Sequence, residues 1–350
     1  MTTNVFIVDD SATARTALKL ILESSDDINV IGVASTPPIA LKRMQKNWPD
    51  VIISDIEMPD MDGFEFLQYL QKNRPTPFIV FSNYTGSSAK SSVEALSRGA
   101  VDIIPKPNFN DASSLSRATQ SILLAVRAAA NAKGVGKTAV EEDVEEQANA
   151  EPATLPADKN SFSIIAVGSS TGGTSIIEKL LTAMSTDCPG IVVVQHMPEG
   201  FTRAFADRVN QFCKIKVKEA EDGDEVKPGM ALIAPGGRHM KLVGRPGHYR
   251  VSVFDADYVN RHRPSVDVLF SSVAVASGRN ALGIILTGMG KDGAKGLLDM
   301  KKAGAYTIGQ AEEDCAVYGM PKAAVALGAV DEEMRVKQII KAASSIHLKK

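Results

Sequence analysis

The chain has 350 residues, enough for two domains that each bury a core of their own. Hydrophobic residues make up 44% and charged residues 23%, a globular composition, and no run of 18 apolar residues offers a membrane span. Lys and Arg number 39 against 41 Asp and Glu, and this net charge of −2 weighs against an electrostatic nucleic-acid binder.

Near the N-terminus, Val5-Phe6-Ile7-Val8 predicts a buried strand, and the apolar spacing from Ala14 to Leu22 predicts a helix. Further strands are expected at Val30–Ala34, Val51–Ser54, Phe78–Phe81 and Val101–Ile104. Helical patterns fill the gaps near 38–47, 64–73, 88–98 and 113–131. Strands alternating with helices, each strand a continuous apolar run, imply a doubly wound parallel sheet. The opening residues show no signal-type segment, and Cys188, Cys213 and Cys315 form no Cys-x-x-Cys motif, so a cytoplasmic location is expected.

Residues 133–160 hold no aromatic residue, and 141–151 is acidic without a basic residue. Such a segment reads as a linker. Its Gly136-Lys137-Thr138 resembles the end of a phosphate-binding loop, but Asn131 stands where that motif needs Gly, and no strand precedes it. The expected organisation is residues 1–125 as a first domain, 126–160 as a flexible acidic linker and 161–350 as a second domain.

In the second half, Ser163–Val167, Ile191–Val194, Ala281–Leu286 and Tyr306–Ile308 predict buried strands. Helical patterns lie near 174–184, 202–212, 265–277, 293–303, 319–327 and 333–346. Met230–Ala234, Met240–Val243 and Tyr249–Phe254 are punctuated by Gly and Pro, and predict hairpin strands at one edge of a parallel sheet.

Two groups of residues carry chemistry. Asp9 and Asp10, Asp55, Ser82 and Lys106 each follow a predicted strand of the first domain. The ends of parallel strands lie on one edge, where open α/β sheets bind ligands. Three gathered carboxylates suit Mg²⁺, and Lys106 suits a phosphate oxygen. In the second domain, Gly168-Ser169-Ser170-Thr171-Gly172 fits G-x-S-x-G between a strand and a helix. That pattern predicts a sharp turn holding Ser170 exposed as a nucleophile. His196 ends the next strand and Asp292 follows another, giving a base and its orienting acid.

Residues 4–125 resemble the receiver domain of two-component response regulators, through Asp9-Asp10, Asp55 to Gly63, Ser82 and Gly99 to Pro107. The resemblance implies that Asp55 accepts a phosphoryl group. Asp9, Asp10, Asp55 and the carbonyl of Glu57 would bind Mg²⁺, while Ser82 and Lys106 would hold the phosphoryl group. Ile103 stands where receivers commonly carry an aromatic switch residue.

Residues 163–346 resemble the catalytic domain of chemotaxis receptor protein-glutamate methylesterases. The matching pieces are 168–173, Gln195 to Pro198, Arg263 to Asp267 and 287–293, with Ser169 where Ala is common. This implies Ser170 as nucleophile, His196 as base, Asp292 as orienter and Met289 N–H among the oxyanion donors. It also implies a modified Rossmann-like sheet with an antiparallel hairpin, and no cofactor for the esterase step. The expected activity is phosphorylation-gated hydrolysis of glutamate γ-methyl esters on chemoreceptors, with deamidation of certain receptor glutamines. A chemotaxis histidine kinase is the expected phosphodonor, and neither nucleic acid nor membrane insertion is expected. Arg261 and Arg263 are candidate docking contacts. The alternative is a receiver-gated docking module without catalysis.

Overall fold

The computed structural model describes residues 2–58, 61–83, 86–108, 111–132 and 161–348. Residues 133–160 of the predicted linker, with the Gly136-Lys137-Thr138 segment, fall outside these residues. The chain forms two compact units, Met1–Asn149 and Ala150–Lys350.

In the first unit, strands β1 (Thr3–Val8), β2 (Ile28–Ala34), β3 (Val51–Ser54), β4 (Phe78–Ser82) and β5 (Asp102–Pro105) alternate with helices α1 (Ala12–Glu23), α2 (Pro37–Met44), α3 (Gly63–Asn73), α4 (Gly86–Ser97) and α5 (Ala112–Ala130). The sheet is parallel in the order β2-β1-β3-β4-β5. Strands β3 and β4 are buried along their whole length because helices cover both faces. Ser11 and Asp62 cap α1 and α3 by accepting from the backbone N–H three residues on. Helix α5 runs to Ala130, so the helix continues beyond the expected boundary at 125. Ile103 is buried on β5, opposite Val80.

The second unit contains a seven-stranded parallel sheet in the order β15-β14-β13-β7-β8-β10-β9. These strands are β7 (Ile164–Ser169), β8 (Gly190–Gln195), β9 (Lys216–Glu219), β10 (Met230–Ile233), β13 (Ala281–Ile285), β14 (Tyr306–Gln310) and β15 (Glu332–Met334). Helices α6 (Thr174–Thr182), α7 (Phe201–Asn210), α8 (Val266–Ser277), α9 (Ala294–Lys302), α10 (Met320–Ala326) and α11 (Val336–Ser344) connect or flank them. The short strands β6 (Ser161–Phe162) and β16 (His347–Leu348) pair in parallel apart from this sheet.

The hairpin differs from the sequence expectation. Met230–Ile233 lies inside the parallel sheet, between β8 and β9, where Ala231, Leu232 and Ile233 are all fully buried. Only β11 (His239–Arg245) and β12 (His248–Phe254) form the antiparallel pair, and they make a two-stranded sheet of their own. Their inward residues Leu242, Tyr249, Val251 and Val253 join a core with Leu269, Phe270 and Val273 of α8. Burial therefore anchors the hairpin through a helix rather than through a sheet edge. The last helix also starts at Val336 instead of 333, because Glu332–Met334 pairs with β14.

Candidate functional sites

In the first unit, the strand-end acids converge. Asp9, Asp10 and Asp55 bring ligand atoms within 4.8 Å of one another. Asp10 and Asp55 border a cleft of about 560 Å³ that Glu57, Asn83 and Lys106 also line. Lys106 Nζ lies 2.5 Å from Asp55 Oδ2 and 2.8 Å from Asp9 Oδ2. Burial alone would lower the Lys106 ammonium, but the two carboxylates reverse this and hold it above the usual lysine range. Burial pushes Asp9 up despite Lys106. Asp55 Oδ1 accepts from the backbone N–H of Ile56 and Glu57, at 2.6 and 3.2 Å.

This donor set fits a hard divalent cation. All the side-chain ligands are carboxylate oxygens, and Asp9 Oδ2 is buried without a hydrogen bond of good geometry. The Glu57 carboxylate accepts from Ser88 Oγ at 2.9 Å, which leaves its backbone carbonyl as the expected contribution. Ser82 is buried at the end of β4, and among the described residues its hydroxyl makes only a long 3.4 Å bond to the Asn83 carbonyl.

In the second unit, the three candidate residues lie at the ends of adjacent central strands. Ser170 follows β7, His196 follows β8, and Asp292 lies in the loop after β13. Ser169 and Gln195 stand opposite each other in the sheet, so Ser170 and His196 are neighbours just beyond the pairing. The buried Gln195 amide ties these ends together, donating to the carbonyls of Ser170 (2.8 Å) and His196 (3.1 Å).

The loop after Ser170 differs from a strained elbow. Ser170 is 8% exposed, and its φ is not left-handed; the left-handed residue is Gly172, at φ 79°. A Cβ on Gly172 would meet Ala316, and one on Gly173 would overlap Ser169 Oγ, so both glycines permit close packing. The Ser169 hydroxyl donates weakly to the Thr287 carbonyl, at 3.4 Å. The same close approach holds at Gly288, where a Cβ would come within 2.6 Å of Ser170 Cβ. The next amide along the chain is that of Met289, and it has no acceptor among the described residues.

His196 Nε2 and Asp292 Oδ2 are 2.8 Å apart. Asp292 is buried at the N-terminus of α8. Its Oδ1 accepts from Asn260 Nδ2 (2.8 Å), Ser265 Oγ (2.8 Å) and Asp267 N–H (3.3 Å), and its Oδ2 also accepts from Val266 N–H (2.7 Å). Burial would raise this carboxyl, but the bonds from His196, Asn260 and Ser265 overcome it and hold Asp292 far below the usual carboxylate range. An acid this firmly ionised cannot take up the nucleophile's proton. It orients the imidazole, places the ring proton on Nε2 and leaves Nδ1 as the basic nitrogen. His196 Nδ1 is buried and has no hydrogen-bond partner among the described residues. No hydrogen bond joins it to Ser170 here; catalytic hydrogen bonds are often long until substrate arrives.

Sequence reading missed Asn260 and His262, whose ring stacks on that of His196 with centroids 3.7 Å apart, and quoted Gln195 in a motif without giving it a role. Ser265 lay in a quoted motif but without a role. Of the two candidate docking arginines, Arg261 is exposed, whereas Arg263 is partly buried, donates to the Ala256 carbonyl and lies over the Tyr258 ring.

Comparison with known proteins adds to this geometry. Residues 5–118 match the response regulator receiver domain model, and residues 165–343 match the CheB methylesterase model. A protein-glutamate methylesterase/protein-glutamine glutaminase 2 from Hahella chejuensis is 49% identical, the match covering 96% of this chain and 94% of that protein. Another from Chromobacterium violaceum is 46% identical, covering 98% and 99%. The crystal structure of the Thermotoga maritima CheB methylesterase catalytic domain is 38% identical, covers 53% of this chain and 98% of that one, and superposes with a TM-score of 0.51.

Proposed function

The chain belongs to the receiver-linked CheB methylesterase family, and we propose that it hydrolyses glutamate γ-methyl esters on chemoreceptors, releasing methanol, and deamidates particular receptor glutamines. The observation that carries this reading is the His196–Asp292 hydrogen bond beside Ser170, on three adjacent strand ends. His196 Nδ1 takes the Ser170 proton as Ser170 Oγ attacks the ester carbonyl. The Met289 N–H stabilises the oxyanion. The imidazolium then returns its proton to the departing methoxide, which leaves as methanol. Water attacks the acyl-enzyme by the same route, and the product is a glutamate carboxylate. With a glutamine substrate the leaving group is ammonia.

Control comes from the receiver. Asp55 accepts the phosphoryl group from a histidine kinase, with Ser82 and Lys106 contacting its oxygens. Asp9, Asp10, Asp55 and the Glu57 carbonyl would hold Mg²⁺, which when bound neutralises phosphoryl charge. The proposed domains are a receiver that runs to the end of α5 at Ala130, a linker up to residue 160 and an esterase over 161–350. The proposed location is the cytoplasm; no helix among the described residues is long and apolar enough to cross a membrane.

The direct test is methanol release from membranes carrying radiolabelled methylated receptors, with and without a small phosphodonor. A docking module without catalysis would give neither methanol nor a burst from an activated ester. Asp55→Asn is expected to abolish phosphoryl incorporation and to leave methanol release at its resting rate whether or not phosphodonor is added. Incorporation equal to wild type would remove Asp55 as acceptor. Deleting residues 1–150 is expected to give an enzyme at least as fast as the resting full-length protein and indifferent to phosphodonor. A slower truncated enzyme would show that the receiver does not restrain the esterase.

A further inference from the structure

Val259 and His262 exchange two backbone hydrogen bonds, at 3.1 and 2.9 Å, and enclose a two-residue turn, Asn260-Arg261. Both turn residues have left-handed φ, 51° and 71°, the pattern of a type I′ turn. The second position of that turn usually takes Gly, yet here it is an Arg. Unfavourable backbone of this kind persists where its surroundings impose it, and it clusters at functional sites. This turn meets the His196–Asp292 pair twice. Asn260 Nδ2 donates to Asp292 Oδ1 at 2.8 Å and to Asp267 Oδ2 at 2.7 Å. The His262 ring lies 5° from parallel to the His196 ring.

We infer that the Val259–His262 turn is a positioning element for the general base: Asn260 fixes the carboxylate that orients His196, and His262 fixes the plane of the His196 ring. The inference rests on the reading of Ser170, His196 and Asp292 given above. It adds two residues that act through that pair. The bond to Asp292 pins one ring atom of His196, about which the ring can still pivot. The direction of Nδ1 decides whether the Ser170 proton can be reached, and a parallel ring face removes that pivot. Misplacing a reacting group by about 1 Å can cost on the order of 10² in rate.

The charges around the stack agree with this role. Beside His196 itself, Asp292 and Arg261 are the charged groups that act on His262. Burial pushes His262 down to about 3, with His196 and Arg261 adding to the effect against Asp292. His262 is therefore neutral at ordinary pH and sets no like charge against an imidazolium forming on His196.

The test uses the full-length protein with phosphodonor, and reads kcat and KM for methanol release. His262→Ala is expected to lower kcat by about tenfold or more, with KM little changed, because positioning rather than binding is lost. His262→Phe should recover most of that loss, since a ring again covers His196. Asn260→Gly keeps a residue suited to the left-handed turn while removing the amide. Asp292 then loses one of the three donors to its Oδ1, the carboxylate that orients His196 is held less firmly, and kcat should fall severalfold with KM little changed. Wild-type kcat in His262→Ala or in Asn260→Gly, or a raised KM with unchanged kcat, would overturn the inference. Ser170→Ala in the same assay keeps the two readings apart. Residual turnover there sinks the nucleophile assignment, whereas a dead Ser170→Ala beside wild-type turn variants sinks only the positioning role.

Discussion

Ser170→Ala is expected to reduce methanol release by on the order of 10⁶, leaving only the activity that oxyanion stabilisation and binding supply. The fold should survive the change. The main-chain bonds that shape this turn do not use the hydroxyl: Ser170 N–H donates to Thr287, and the Ser170 carbonyl accepts from Gln195. The side chain that remains still fills the space left by Gly288, whose missing Cβ is what lets the two segments approach. Melting temperature should therefore stay within a few degrees of wild type, while turnover falls to background in both the presence and absence of phosphodonor. Methanol release near the wild-type rate would mean that another group attacks the ester.

The parallel architecture was legible in the sequence because burial on both faces leaves unbroken apolar runs. Val51–Ser54 stands where the pattern put it. Misreading Met230–Ile233 as hairpin came from giving its Gly and Pro neighbours more weight than its own run. Ala231, Leu232 and Ile233 are consecutive apolar residues, whereas β12 alternates inward and outward residues as a one-sided sheet requires. Lys216–Glu219 was invisible because its sequence, Lys-Val-Lys-Glu, offers one apolar residue, enough for an edge strand but not for a recognisable run. The strand-end logic that gathered Ser170, His196 and Asp292 needed only knowledge of which residue follows which strand. Asn260 and His262 sit on a loop, and their place beside the base depends on a two-residue turn whose residues are not those a turn of that type prefers. No periodicity announces such a contact. The Ser265 cap carried a local signal, since Ser before a helix is a common N-cap, but its second bond to Asp292 is a tertiary fact.

Asp292→Asn is expected to cost about 10⁴ in kcat, more than an isosteric exchange would suggest, because it reverses the proton arrangement on His196. The carboxylate has two oxygens and an asymmetric set of donors. Three donors reach Oδ1, from Asn260, Ser265 and Asp267, while Oδ2 is reached by His196 and Val266. An amide has one oxygen, and the better-satisfied orientation turns it toward the three donors. Its NH₂ group then faces His196 Nε2, which must become an acceptor, and the ring proton moves to Nδ1. That nitrogen is the one left free for the nucleophile, so the base becomes a donor just where it must accept. The Val266 N–H loses its acceptor in the same step, and the N-terminus of α8 loses a negative charge, so stability should fall by about 1–3 kcal/mol. In the wild-type chain, the depressed Asp292 carboxyl contributes stability that is fully present above its unfolded value of 3.8. That contribution disappears only in stronger acid, as the pH falls through the folded value. The Asp292 carboxyl should accordingly add no pH dependence of its own to the stability difference between wild type and Asp292→Asn from pH 5 to 8, and its contribution should shrink only in stronger acid. Rate and stability thus have separate readouts: methanol release at pH 7 for the tautomer, and denaturant melts across that pH range for the lost charge. A loss of activity below about tenfold would show that a different acid orients His196.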